Sequence, residues 1–222
     1  MPVTIYGYRD AMSAFFEFPT ENAREILPDH LEPVEVHHGT SIFAMTAFDF
    51  NESSVGEYGE VVMAVIISPL VKPGERLPKS AMYPYLVATT TKAARDHAIE
   101  RWHLPHFMED IKIEFDRSTP NVGVARVKDL AGAPIADLTV AAHAFAPVNH
   151  LYQSFMADDS GKYLASIVME GEQSEHEDEK GSIVLHDHEF NKALSIEDVY
   201  PTPFRELWMR NGRQTFDPLK TL

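Results

Sequence analysis

The sequence has no cysteine among its 222 residues. That excludes disulfides, thiolate nucleophiles, cysteine-based zinc sites and iron–sulfur clusters. It is also short of positive charge: 19 Lys and Arg stand against 34 Asp and Glu, a formal net charge of −15. Neutralising phosphates requires clustered basic residues, so no nucleic-acid partner is expected. No docking on an anionic membrane is expected either. The excess acid reads most simply as a solubilising charge. No apolar run approaches the ~20 residues that span a bilayer; "VVMAVIISPLV" (61–71) is shorter and holds a proline. The opening "MPVTIYGYRDAMSAFFEF" lacks the basic start and apolar stretch of a signal peptide, which makes a soluble cytoplasmic protein the expectation. GxGxxG, GxxxxGK[ST] and HExxH are all absent, leaving dinucleotide, P-loop and zincin readings without local support.

What is present is mostly strand. Hydrophobic residues make up 44% and aromatics 10%, enough for a substantial core. "SAFFEF" (13–18) reads as a strand ending at Pro19, and "PTENAREILP" (19–28) as a short helix that Thr20 can cap. "VEVHHGTSIFAMTAFDF" (34–50) alternates, with Ile42, Ala44 and Thr46 on one face and Phe43, Met45 and Ala47 on the other. "EYGEVVMAVIISPLV" (57–71) leaves a glycine turn and becomes continuously apolar, as a strand covered on both faces or lying in a barrel does. "TTTKAARDHAIERW" (89–102) is a helix that Pro105 ends, and "DIKIEF" (110–115) is a strand. Two hairpins are expected, over 122–145 and over 163–190, the second with a solvated acidic tip at 172–181. The end, 195–212, reads as a short element, a proline-broken turn and a helix. No repeat or long linker divides the chain. The expectation is one α+β domain over 1–222, mainly an antiparallel β barrel or cone with a few helices.

Several constellations could carry chemistry. Glu60, in "EYGE" at the mouth of the most apolar strand, could sit in a low-dielectric cavity as a general acid, or in a solvated turn. Arg9, ahead of an aromatic strand, offers a planar fork for a substrate carboxylate, or lies on a surface edge. His186 and His188 in "HDHE" share one strand face and could join His37, His38, His143 or His150 on a metal. No third ligand shows in the linear sequence, so structural histidines and no metal are expected.

Taken in order, "YRDAMSAFFEF", "AREILPDHLEPVEV", "EYGEVVMAVIISPLV" and "YPYLVATTTKAARDHAIERWHLPHF" resemble the acetoacetate decarboxylase family over roughly residues 5–150. That family shows a G-x-Y-x-E strand, a tyrosine-bearing strand and a helix running into a tryptophan-to-proline turn. The resemblance implies a barrel acting on a small keto acid or related carboxylate, without a cofactor, in a homo-oligomer. It implies catalytic roles for Glu60, Arg9 and the residue after Pro105, and places Tyr85, Trp102 and His103 at the substrate. Family decarboxylases carry a lysine after that proline. Its amine forms a Schiff base with the ketone and takes up the electrons left by CO₂, the usual illustration of an activated lysine. Here the position is His106, followed by Phe107. Imidazole forms no stable iminium, so Schiff-base decarboxylation should fail at this residue. Three outcomes remain open. They are altered acid–base chemistry by His106 and Glu60, a non-catalytic binder on the same scaffold, or a decarboxylase using another lysine, Lys92 or Lys112.

Overall fold

The computed structural model describes residues 3–222. The strands are β1 (Thr4–Pro19), β2 (Glu35–His37), β3 (Thr40–Glu52), β4 (Tyr58–Ile67), β5 (Ser80–Thr89), β6 (Ile111–Asp116), β7 (Val122–Asp129), β8 (Pro134–Ala141), β9 (Ala146–Asp158), β10 (Gly161–His176), β11 (Ser182–Leu185), β12 (Arg205–Phe216) and β13 (Lys220–Thr221). Two α-helices interrupt them, α1 (Thr20–Ile26) and α2 (Lys92–Trp102). Strands run in the order β1-β12-β10-β9-β5-β4-β3, and β1 also pairs with β3, which closes a seven-stranded barrel. Every barrel pairing is antiparallel except β5–β9, which is parallel through Ser80↔Tyr152 to Met82↔Ser154. A second antiparallel sheet, β11-β8-β7-β6, packs on the barrel's outside.

Strand alternation sorts the barrel residues onto two buried faces. Met12, Phe16, Phe43, Met45, Met63 and Val65 point outward and meet Ile135, Leu138 and Val140 of the second sheet in the main core. Ala11, Ser13, Ala44, Thr46, Glu60 and Val62 point inward and line a lumen. The continuous apolar run of β4 is thereby explained: both of its faces are covered. Helix α2 starts on Thr91, whose side chain accepts the Ala94 N–H at 3.3 Å. It stops at His103, which takes the left-handed conformation (φ 53°) and donates its N–H to Ile99. The stop thus precedes Pro105.

The structure corrects the sequence reading in four places. Thr20 is not the cap of α1; it is the first helical residue, and its hydroxyl bonds Ser41 at 2.8 Å. Residues 163–190 are not a hairpin, because β10 belongs to the barrel and β11 to the second sheet. The acidic tip is solvated as expected, with residues 177–180 exposed, and buried Glu206 anchors its end by accepting the backbone N–H groups of Lys180 and Gly181 at 2.9 and 2.8 Å. The expected C-terminal helix is the central barrel strand β12, whose Leu207 and Met209 face the lumen and whose Trp208 enters the outer core. Strand β9 had no counterpart in the sequence reading.

Candidate functional site

The barrel lumen encloses a cavity of about 100 Å³. That is room for several waters or one small organic molecule. Its walls are mostly apolar, from Phe15, Val62, Met82, Ile167, Leu207 and Met209 among others. The polar groups are few. Ser13 and Thr46 bond each other across the β1–β3 pair at 2.9 Å, and the Ser154 hydroxyl points at the Met156 sulfur. Glu60 and Gln214 stand at the end closed by α2.

Glu60 is partly buried and lines both the lumen and a smaller chamber under α2. Burial raises its pKa from 4.5 to about 8, because a carboxylate loses hydration there and gains no cation. Among the described residues no lysine or arginine lines the lumen. The carboxyl is therefore mostly protonated near neutrality. Gln214, on β12, is buried, and its Nε2 amide finds no acceptor within the protein. A buried amide N–H without a partner is costly. Here it borders a cavity in which a ligand oxygen could accept it.

Beneath these two groups, α2 seals the barrel. Trp102 Nε1 donates to the Tyr6 oxygen at 2.7 Å, and Tyr6 lies 2.7 Å from His97 Nε2. Indole nitrogen only donates, so the Tyr6 oxygen accepts from Trp102 and its own proton is free to go to His97 Nε2, an arrangement that pairs with the Nδ1–H tautomer of the imidazole. Burial, then Arg101, lowers the His97 pKa, while burial pushes Tyr6 up to about 12. Both thus stay neutral. A side chamber of about 20 Å³ joins this Trp102–Tyr6–His97 chain to Glu60 and Gln214. A second hollow of about 220 Å³ adjoins the lumen at the opposite end, sharing Phe15, Tyr152 and Leu207 with it. Its basic residues, Lys79 and Arg205, are paired with Glu175 and Glu177, each at 2.6 Å.

Of the six site residues expected from sequence, the lumen holds two, Glu60 and Trp102. Arg9 lies outside the wall at a β-bulge, half-exposed, paired with Asp49 at 3.1 Å and Glu57 at 2.5 Å. It is not in reach of a lumen carboxylate. Tyr85 faces the outer core, its hydroxyl on the Met63 sulfur at 3.4 Å and its ring against Phe43. His103 stacks on Tyr163 at 4.0 Å and bonds Asp158 at 2.6 Å, away from the lumen. His106 is not a lumen residue. Its segment bridges to Val87 of β5, its Nδ1 donates to Phe107 O at 2.7 Å, and its buried Nε2 has no partner. Burial, with Arg95 adding, lowers its pKa. Lys92 is exposed and paired with Asp96, and Lys112 is exposed with its ammonium on Leu130 O at 2.8 Å. His186 and His188 contact Asp137 at 3.5 Å and Asp129 at 3.6 Å, each singly.

Sequence reasoning missed Gln214, Tyr6 and His97. Tyr6 had a signal, since "TIYGY" alternates aromatics ahead of the strand that was read. Gln214 had none, because it lies just past a stretch read as helix.

The barrel is thus closed around an apolar lumen, with a helix sealing one end and a single carboxyl on its wall among the described residues. The fold is that of acetoacetate decarboxylase. Acetoacetate decarboxylase from Legionella pneumophila superposes with a TM-score of 0.64 at 16% identity, over 100% of this chain and 88% of that one. An acetoacetate decarboxylase-like enzyme from Sphingomonas wittichii RW1 gives 0.61 at 10% identity, over 99% and 92%. The enduracididine biosynthesis enzyme MppR gives 0.60 at 10% identity, over 100% and 88%. No family model matches the sequence, and no curated protein matches it in sequence. Among the described residues no helix is long and apolar enough to cross a membrane.

Proposed function

We propose that this chain binds a small, largely apolar carbonyl compound, a ketone or keto acid, in the barrel lumen and moves a proton at the carbon next to the carbonyl. The observation that carries this is Glu60: an uncompensated carboxyl in a water-poor cavity with a pKa of about 8, at the same end as the unpartnered Gln214 amide. A carboxyl poised near the working pH is suited to general acid–base transfer. The Gln214 N–H can donate to the carbonyl oxygen, where negative charge develops on enolisation. His106, the acid–base group expected from sequence, is not part of this reading. Neither is Arg9, so the ligand's own carboxylate, if it has one, is not clamped by that residue. Among the described residues no lysine stands on the lumen wall, which weighs against Schiff-base decarboxylation by Lys92 or Lys112. A structure of MppR is complexed with the condensation product of pyruvate and imidazole 4-carboxaldehyde; that ligand is MppR's, and it supports this fold as one that can take a compound made from a keto acid. We also propose, from the resemblance alone, a cytoplasmic homo-oligomer.

The test is solvent deuterium exchange into a panel of small ketones and keto acids, followed by NMR. Wild-type protein should accelerate exchange for at least one member, and Glu60→Gln should reduce that acceleration at least ~100-fold. Equal acceleration by Glu60→Gln sinks the proton-transfer role. Thermal stabilisation by the same compounds without any exchange would favour the non-catalytic binder instead.

A further inference from the structure

Outside the barrel lumen, the connection after β8 and the end of β10 bring three metal-ligating side chains to one spot. His143, His176 and Asp178 each offer a ligand atom, and these atoms lie within 4.8 Å of one another. We propose that they form a binding site for a divalent transition-metal ion, with Zn²⁺ the ion that best suits two imidazoles and one carboxylate.

The hydrogen bonds around His176 carry the argument. Its side chain is only 6% exposed. Its Nε2 lies 3.0 Å from the carbonyl oxygen of Ala141. A carbonyl only accepts, so Nε2 holds the proton and Nδ1 presents its lone pair. The one donor to that lone pair is the backbone N–H of Asp178, at a long 3.3 Å. Metal-ligating histidines likewise have the far ring N–H fixed on a carbonyl, and here an ion would take the near nitrogen from that long Asp178 N–H contact. The His143 ring packs edge-on against His176 with centroids 4.5 Å apart, and its Nε2 already lies 3.0 Å from Asp178 Oδ2.

The two segments are pinned before any ion arrives. Glu206 is fully buried and accepts backbone N–H groups from Ala141, Lys180 and Gly181 at 2.6, 2.9 and 2.8 Å. The His143 backbone N–H donates to Ser174 Oγ at 2.8 Å. Glu206 Oε1 is also 3.9 Å from His176 Nδ1, a second carboxylate close to the ion's place. Bonds of about 2.0–2.1 Å in a tetrahedron put ligand atoms about 3.3 Å apart. His143 and Asp178, each 47% exposed at the side chain, have the freedom to close the remaining gap. Lys180 Nζ sits 3.1 Å from Asp178 Oδ2 and is itself 55% exposed, so the ion displaces an ammonium that can turn to solvent. Three protein ligands leave one tetrahedral position for water. An ion held here ties the β8–β9 connection to the β10–β11 connection and binds the native state alone, so it stabilises the fold.

The experiment is calorimetric titration of ZnCl₂ into full-length protein stripped with EDTA, with thermal melting alongside. We expect one saturable Zn²⁺ per chain and a raised Tm. His143→Ala and Asp178→Asn should each weaken binding at least ~10-fold, and Lys180→Ala should tighten it. Because His176 is buried, its replacement confounds folding with binding; the two exposed variants therefore carry the test. No saturable binding by wild-type protein, or wild-type affinity in both exposed variants, overturns the site.

Discussion

The barrel wall has two faces, and the same seven strands supply both. Where the second sheet covers it, the outer face is close-packed: Phe43, Met45 and Met63 are all 0% exposed and belong to the core shared with that sheet. The inner face is just as apolar in composition yet encloses a cavity, and it alone carries Glu60 and Gln214. The difference comes from what each face meets. An outer side chain meets another sheet and can interdigitate with it. An inner side chain meets the far wall of a seven-stranded ring, where small residues such as Ala11, Ala44, Ala64 and Ala165 leave the centre open. Close packing thus resides on one face, and the open space in which a ligand is proposed on the other.

The largest expected effect probes the inner face through its carboxyl. Glu60 has a folded pKa of about 8 against 4.5 for an unperturbed glutamate. Between those values the native state holds a proton that the unfolded chain has released, so stability falls as pH rises through this window. The full difference is roughly 4–5 kcal/mol, reached above pH 8. Partly buried His97 and His106 pull the other way, since their lowered pKa values make stability rise as pH rises towards the ordinary imidazole value of 6.5 and no further. The difference between wild-type and Glu60→Gln profiles, from urea melts at pH 4 to 9, isolates the glutamate. A flat difference profile would mean that Glu60 is solvated and that the inner face is not a low-dielectric space.

A matched pair of methionines separates packed from hollow. Met63 on β4 faces outward and is 0% exposed, while Met82 on the adjacent β5 lines the lumen. Met63→Ala opens a new void among close-packed neighbours and should cost about 3–5 kcal/mol. Met82→Ala enlarges a void that already exists, so its cost should stay below about 2 kcal/mol. Denaturant midpoints at constant m-value measure both. Equal losses would show that the lumen is collapsed in solution.

The sequence made the strands legible because alternation is local. Ile42, Ala44 and Thr46 were correctly set against Phe43, Met45 and Ala47, and the double-sided burial of 61–67 was visible in its unbroken apolar run. Alternation does not say which face is hollow, and there the reading stopped. β12 was misread because "RELWMR" is rich in good helix formers, and pairing with β1 and β10 overrode that local preference. At the site, Glu60 and Trp102 were legible by order along the chain. Tyr85 simply follows Ala81 and Tyr83 onto the outer face by alternation, with Met82 and Pro84 on the inner one. Arg9 is displaced by a backbone irregularity that a pattern does not reveal, a bulge between Tyr8 and Asp10 that turns it to the outside. One extra residue in a strand exchanges inside for outside.

That exchange supports the smallest prediction, one that tests whether Arg9 truly stands off the lumen. Arg9 is 46% exposed at the side chain, and its carboxylate partners Asp49 and Glu57 lie 20% and 64% exposed. Exposed ion pairs contribute little once screening and side-chain entropy are counted. Asp49 moreover keeps a second cation, Arg117, at 2.8 Å when Arg9 is gone. Arg9→Ala should therefore shift Tm by less than about 2 °C. It should also leave untouched any ligand-induced stabilisation or deuterium exchange that Glu60→Gln removes. The two variants together locate the ligand. If Arg9→Ala abolishes ligand binding while the fold stays intact, the bulge at Tyr8–Asp10 must relax on binding and bring the arginine inward. The inner face would then have a cation after all, and the high pKa of Glu60 would belong to the empty barrel only.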